Sequence, residues 1–173
     1  RSERLTGCLR SSDVNIPILY EDRWLMIVDK PAGLLTVSTP RGERRTLTSI
    51  VNDDASQRGA GYRLYPCLRL DRETSGVIIF AKGLAERDTI MDAFRRREVS
   101  KRYVAFAHGR VVPSEGAIRA PVERQQAITA YRVVDPGDDF SVVDIQPRTG
   151  RTNQIRIHFK HIGHPLVGES RFT

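Results

Sequence analysis

The stretch LRLDRETSG, Leu68 to Gly76, sets a single carboxylate, Asp71, between Arg69 and Arg72 at the mouth of the apolar run VIIFAK. A carboxylate beside a guanidinium is held ionised at neutral pH. An ionised, oriented carboxylate can act as a nucleophile in sugar chemistry. The flanking cations suit a site that receives an anionic polymer, and Gly76 allows close backbone approach where the turn over 72–76 enters the apolar run. The same pattern also fits a structural ion pair at a strand entrance, the ordinary role of a lone aspartate. Spacing alone leaves both readings open.

Other residues with chemical potential carry weaker patterns. His158, His161 and His164 form an H-x-x-H-x-x-H series. On a helix the first two would be neighbours, but His164 lies beyond Gly163, and no carboxylate or thiolate close in sequence completes a zinc set. No metal site is expected. Ser75 lacks the G-x-S-x-G frame of a serine hydrolase, and Gly59-x-Gly61 lacks the strand-turn-helix context and third glycine of a phosphate loop. Tyr103 follows Lys101 and Arg102 and reads equally as a half-buried strand tyrosine. Thr149, Gly150, Arg151 and Thr152 make a tight polar loop. Its amides and Arg151 could hold a phosphate, or the loop is a plain turn.

The composition narrows the partner. The net charge is +7, and only four of the 28 Lys and Arg residues are lysine. The pI is about 9.9. Arginine's planar fork matches phosphate and stacks on bases, so nucleic acid is the first partner to consider. Codon usage in a high-GC genome gives the same bias. With 39% apolar and 28% charged residues, the chain is globular rather than disordered. Its 173 residues suit one domain, or one with a small appendage, and a chain of about 150 residues buries roughly 70% of its unfolded surface. Two cysteines, Cys8 and Cys67, are too few for a disulfide scaffold, so a reducing, cytoplasmic setting is expected. Nothing reaches the ~18 apolar residues of a membrane span, and no signal peptide is visible. The chain starts at Arg1 rather than Met and reads as a fragment or processed product.

The elements that must position these residues follow from hydrophobic period. Residues 1–13 are polar and read as an irregular lead-in, with the domain running from 14 to 173. WLMIV (Trp24–Val28), the turn Lys30-Pro31-Ala32-Gly33 and LLTVS (34–38) read as strand, turn and strand. Apolar residues at 47, 50 and 51 behind Thr46 predict a capped helix. SGVIIFAK (Ser75–Lys82) is a β-branched buried strand. Leu84–Glu98 is a helix with Ile90, Met91 and Phe94 facing inward and Arg95–Arg97 complementing its C-terminal dipole. Strands follow over 100–109, 116–122, 127–134 and 140–147. In the last segment the stop signals Gly163 and Pro165 favour a short helix, Asn153–Ile162, over a strand. The sum is an α+β fold with a mixed, largely antiparallel sheet core flanked by a few helices.

Five stretches taken together resemble the RluA-type pseudouridine synthases: PILYEDRWLMIVDKPAGL, LRLDRETSGVIIFAK, SKRYVAFAHG, PRTGRTNQIRIHF and IGHPLVGESRF. They stand in the family's order and run from about residue 17 to 172. The RLDRETSG and GRT-x-QIR-x-H stretches at this separation carry the resemblance most specifically. It implies the pseudouridine synthase catalytic fold over residues 14–173, with further core elements expected past Thr173, and an isomerase that converts uridines of ribosomal or transfer RNA to pseudouridine without cofactor or metal. By motif position Asp71 matches the catalytic aspartate, which attacks the sugar or the base. Tyr103 matches the tyrosine that stacks on the base, and Arg156 the arginine that pairs with the aspartate. Arg69 matches a residue implicated in displacing the flipped nucleotide. Arg72, Thr74, Arg151, Thr152 and Gln154, in the same two stretches, are placed among the substrate contacts. The partner is RNA and the protein is expected to be a monomer. Leu68 stands where the family often has His, Asn153 where it often has His, and Asp29 where Asn is common. A non-catalytic RNA-binding module that keeps the fold is the second reading, and a duplex-DNA-binding regulator the third.

Overall fold

Alternation along the strands decides what is buried. In β3 (Leu25–Lys30) every second residue, Met26, Val28 and Lys30, is buried. The computed structural model describes residues 7–11, 14–40 and 42–172, and the chain divides into two compact units, one ending at Glu98 and the other beginning at Val99. The sequence reading expected one domain over 14–173.

In the first unit β1 (Gly7–Ser11), β2 (Val14–Glu21), β3, β4 (Tyr65–Pro66) and β5 (Gly76–Ala81) form a five-stranded sheet in the order β1-β2-β3-β5-β4. Every pairing is antiparallel. The register sets Met26 opposite Phe80, Val28 opposite Ile78 and Lys30 opposite Gly76. This in-phase face joins Leu9, Ile16 and Ile18 to Leu47, Ile50 and Val51 of α1 (Leu47–Gln57) in one core. Apolar residues from four strands and a helix stripe thereby leave water together, the main favourable term in the fold. α1 starts at the expected N-cap, Thr46, in a capping box: its side chain accepts from the Ser49 amide while the Ser49 hydroxyl accepts from the Thr46 amide. α2 (Leu84–Arg95) ends three residues before Glu98, and Ile90, Met91 and Phe94 are half-buried, with no residue of the helix fully buried. Arg95 pairs with Asp92, and Arg96 with Glu98 at 2.7 Å.

Two expectations for this unit give way. Residues 7–11 of the supposed lead-in form β1, paired residue by residue with β2; residues 1–6, 12 and 13 lie outside the described ones. Residues 34–38 form no strand. Their backbone is committed to the helix: the Leu35 and Thr36 carbonyls accept from the Leu47 and Thr48 amides at 2.8 and 3.1 Å. These two carbonyls satisfy amides of the first turn that have no partner within the helix.

In the second unit β6 (Tyr103–His108), β7 (Glu115–Ile118), β8 (Thr129–Pro136) and β9 (Phe140–Pro147) form an antiparallel sheet in the order β6-β9-β8-β7. Ala107, Ile118, Val143 and Ile145 pack with Phe159 of α3 (Gln154–His161). That helix has the expected bounds, with Asn153 as its N-cap and Ile162 as its C-cap. The class is α+β, and each strand pairing in both sheets is antiparallel rather than mixed.

Candidate active site

In the first unit Arg69, Asp71, Arg72 and Thr74 all lie on the turn that leads into β5. The backbone of this turn is tied on both sides of Asp71. Thr36 donates its hydroxyl to the Leu70 carbonyl at 2.9 Å and accepts from the Leu70 amide at 3.2 Å. The Arg72 carbonyl accepts from the Gly33 amide at 2.8 Å, and the Asp71 carbonyl from the Thr74 amide at 3.1 Å. Asp71 itself is half-buried.

A third tie comes from a residue that sequence reasoning took for turn chemistry. Lys30 is fully buried. Its Nζ donates to the carbonyls of Pro31 (2.8 Å), Leu34 (2.6 Å) and Arg72 (3.1 Å), one acceptor for each hydrogen of the ammonium. A buried charge is tolerable only when its polar partners are supplied. Here Gly76 opposite Lys30 brings no side chain, and the two loops bring the oxygens. Burial pushes the Lys30 ammonium below the ordinary lysine range, while the Glu73 and Asp71 carboxylates act in the other direction. The sequence did hold a signal: Lys30 is in period-two phase with Met26 and Val28, the pattern of a residue facing the core.

Around this turn the arginines are exposed. Arg72 lies 3.6 Å from Glu43, a solvent-screened pair of the kind that adds little to stability. Arg69 projects into solvent.

In the second unit, Tyr103 opens β6 opposite Ile145 and packs, half-buried, on the core cluster. Arg151 and Thr152 are exposed on the loop before α3. Gln154, expected among the substrate contacts, is turned inward instead. It is 4% exposed. Its Oε1 accepts from the Thr149 hydroxyl (2.7 Å) and the Arg151 amide (3.0 Å), and its Nε2 donates to the Ile128 carbonyl and the Thr129 hydroxyl, each at 3.0 Å. The Thr149 hydroxyl in turn accepts from the Ile128 amide at 2.9 Å. Gln154 therefore welds the TGRT loop to β8, and the Arg151 amide that seemed available for a phosphate is already paired.

Arg156, one turn into α3, is 26% exposed. Its Nη1 donates to Asn153 Oδ1 at 2.8 Å. Its Nε and Nη2 donate to the two carboxylate oxygens of Glu169 at 2.5 and 2.8 Å. Asn153 sits in the left-handed region at φ 54°, which asparagine tolerates better than most residues. The side chain at the position where the family often has His thus contacts Arg156 directly. Sequence reasoning did not single out Glu169, which stands 13 positions from Arg156 along the chain.

The three histidines go separate ways. His158 is buried with Nε2 2.9 Å from the Ala120 carbonyl, and burial holds its ring below the usual histidine range. His164 Nδ1 meets the His108 carbonyl at 2.9 Å, and His161 is exposed. Among the described residues no group of three or more His, Cys, Asp or Glu stands in a metal-binding arrangement, and no helix is long and apolar enough to cross a membrane.

The family model described as RNA pseudouridylate synthase matches residues 24–161. The chain is 33% identical to the dual-specificity RNA pseudouridine synthase RluA of Yersinia pestis, covering 90% of this chain and 81% of that protein. It is 34% identical to the ribosomal large subunit pseudouridine synthase D of Pseudomonas aeruginosa, covering 92% of this chain and 54% of that one. An RNA pseudouridine synthase of Bacillus subtilis matches 98% of the chain at 29% identity. The chain spans 57–65% of the length of the Bacillus subtilis relatives it matches. Among solved structures, the human RNA pseudouridylate synthase domain containing 4 superposes with a TM-score of 0.78 at 26% identity, over 90% of this chain and 68% of that one.

Proposed function

The chain belongs to the RNA pseudouridylate synthase family, in its RluA-type branch, and on that premise we propose that the protein isomerises specific uridines of ribosomal or transfer RNA to pseudouridine. Relatives named for dual-specificity RNA, large-subunit ribosomal and transfer RNA synthases support that substrate class. The observation that carries the reading is the turn around Asp71. Its backbone is fixed by Thr36, Gly33 and the buried Lys30, so one carboxylate is presented from a rigid frame. Holding a reacting group in place before substrate arrives is what lowers the barrier of such a step.

The reaction balances within one nucleoside. The bond from C1′ to N1 breaks, the base turns, and a bond from C1′ to C5 forms. The proton on C5 leaves and N1 gains one. Asp71 takes the role of nucleophile toward the sugar or the base, and the bond it forms breaks again before the product leaves, which returns the carboxylate. Tyr103 offers a ring face to the base, Arg156 partners the aspartate, and Arg69 enters the RNA. A uridine within folded RNA does not expose its sugar face, so the reading includes extrusion of the target nucleotide, at a cost of a few kcal/mol. Phosphate contacts from an arginine-rich surface offset that cost. Arg72, Thr74, Arg151 and Thr152 are the remaining candidates for RNA contact. The protein acts as a monomer in the cytoplasm, in keeping with two unbridged cysteines and a reducing compartment.

Mapping pseudouridines in ribosomal and transfer RNA from cells with and without the gene tests the reading. One or a few sites should revert to uridine in the deletion. An unchanged map in both RNA classes contradicts it.

A further inference from the structure

Three features of unit two meet at the Arg156 guanidinium. One planar edge, Nε and Nη2, is engaged by both oxygens of Glu169. One N–H of Nη1 is taken by Asn153. The Phe172 ring lies 5.0 Å from Cζ, in the range of a cation–π contact. The carboxylate that grips the edge is itself immobilised. Its side chain is 2% exposed, and Oε1 also accepts from the Arg171 and Phe172 amides at 2.8 and 3.2 Å. The segment 169–172 thus folds back on its own acid and presents that acid to the helix.

An exposed ion pair rarely has this form, because two long side chains lose rotamer freedom for little gain. A bidentate fork on a buried, doubly capped carboxylate fixes the torsions of the arginine end group, which is the geometry wanted for an arginine that must act in one orientation. We infer that Glu169, assisted by Asn153, is a positioning residue that sets the orientation of the Arg156 guanidinium for the isomerisation. The inference rests on the reading of Arg156 as the partner of the catalytic aspartate. Glu169 acts through Arg156 and touches neither uridine nor RNA in this account.

The test uses the full-length protein and tritium release from RNA labelled at C5 of uridine. Glu169→Gln keeps the shape but puts an NH₂ against the guanidinium. It should lower kcat about 10- to 100-fold, the scale of loss from a misplacement near 1 Å, with KM for RNA within about threefold of the parent. Glu169→Asp, which keeps the charge with a shorter reach, should recover part of the loss. In an Arg156→Ala background, Glu169→Gln should change kcat less than twofold, because its only route of action is gone. The Arg156 Nε–H resonance, sharp and slow to exchange in the parent, should exchange rapidly in Glu169→Gln whatever the turnover. A merely structural Glu169 gives a different pattern, with equal losses in both backgrounds that follow the folded fraction. That pattern overturns the inference, as does an active parent whose Glu169→Gln variant keeps kcat within twofold. A folded parent that releases no tritium from any ribosomal or transfer RNA overturns the reading of the family chemistry, and the inference falls with it.

Discussion

The ammonium of Lys30 sits 3.1 Å from the carbonyl oxygen of Arg72, the residue that follows Asp71. A fully buried cation on β3 therefore holds the backbone that carries the candidate nucleophile. The arrangement makes stability and chemistry hang on one side chain.

Replacing that side chain with an apolar one of similar length should expose the dependence. Lys30→Met takes this donor from the Pro31 and Leu34 carbonyls and leaves the Arg72 carbonyl with the Gly33 amide alone, so unfolding free energy should drop by about 2–4 kcal/mol, the scale for stranding buried polar groups. Urea denaturation measures it. In the fraction that remains folded, release from labelled RNA should fall at least about 10-fold because the Arg72 carbonyl keeps only the Gly33 amide of its two anchors. Arg72→Ala keeps the carbonyl and should spare stability.

Gln154 separates a structural from a substrate role. With both ends of its amide bonded inside the unit, Gln154→Leu strands several polar groups and should cost about 2–4 kcal/mol. RNA affinity of the folded variant, measured by gel shift at fixed salt, should stay within threefold. A selective loss of RNA binding at unchanged stability would restore it to the substrate contacts.

Acid should reveal the Glu169 clamp. Contact with Arg156, followed by the Arg171 and Phe172 amides, holds its carboxyl down at about 2, below the ordinary 4.5. A carboxyl depressed on folding stabilises the protein above its unfolded value and loses that contribution as pH falls through its folded one. The contribution is full above about pH 5 and fades between about 4.5 and 2, amounting to at most roughly 3 kcal/mol. Glu169→Gln should flatten that part of the stability–pH curve, read by chemical denaturation at several pH values.

Salt should weaken RNA binding steeply. If the arginine-rich surface contacts about six phosphates, the logarithm of the association constant falls with that of salt at a slope of about −4 to −5. Arg69→Ala should reduce the slope by about one if it meets a phosphate.

Much of this was legible in the sequence because the relevant signals are local. The Thr46 cap, the β5 run and the Asn153–Ile162 helix each declare themselves within a dozen residues. The RLDRETSG and GRT-x-QIR-x-H motifs mark Asp71 and Arg156 as the candidates. What stayed hidden depends on partners far along the chain. LLTVS alternates like a strand, yet its carbonyls serve the start of α1. Lys30 looks like part of a turn until Arg72, 42 positions on, supplies an oxygen. Gln154 resembles a loop residue facing RNA until the Ile128 and Thr129 contacts, about 26 positions back, turn it inward. Glu169 has no periodic pattern to mark it. The division into units at Glu98 and Val99 leaves no compositional trace.

Whether Asp71 carries the chemistry is read from tritium release by RNA labelled at C5 of uridine, comparing the full-length parent with Asp71→Asn. Release by the parent should drop about 10³-fold or more in the variant, the scale on which removing a nucleophile acts, with RNA affinity within a few-fold. Release that persists undiminished in Asp71→Asn contradicts that role.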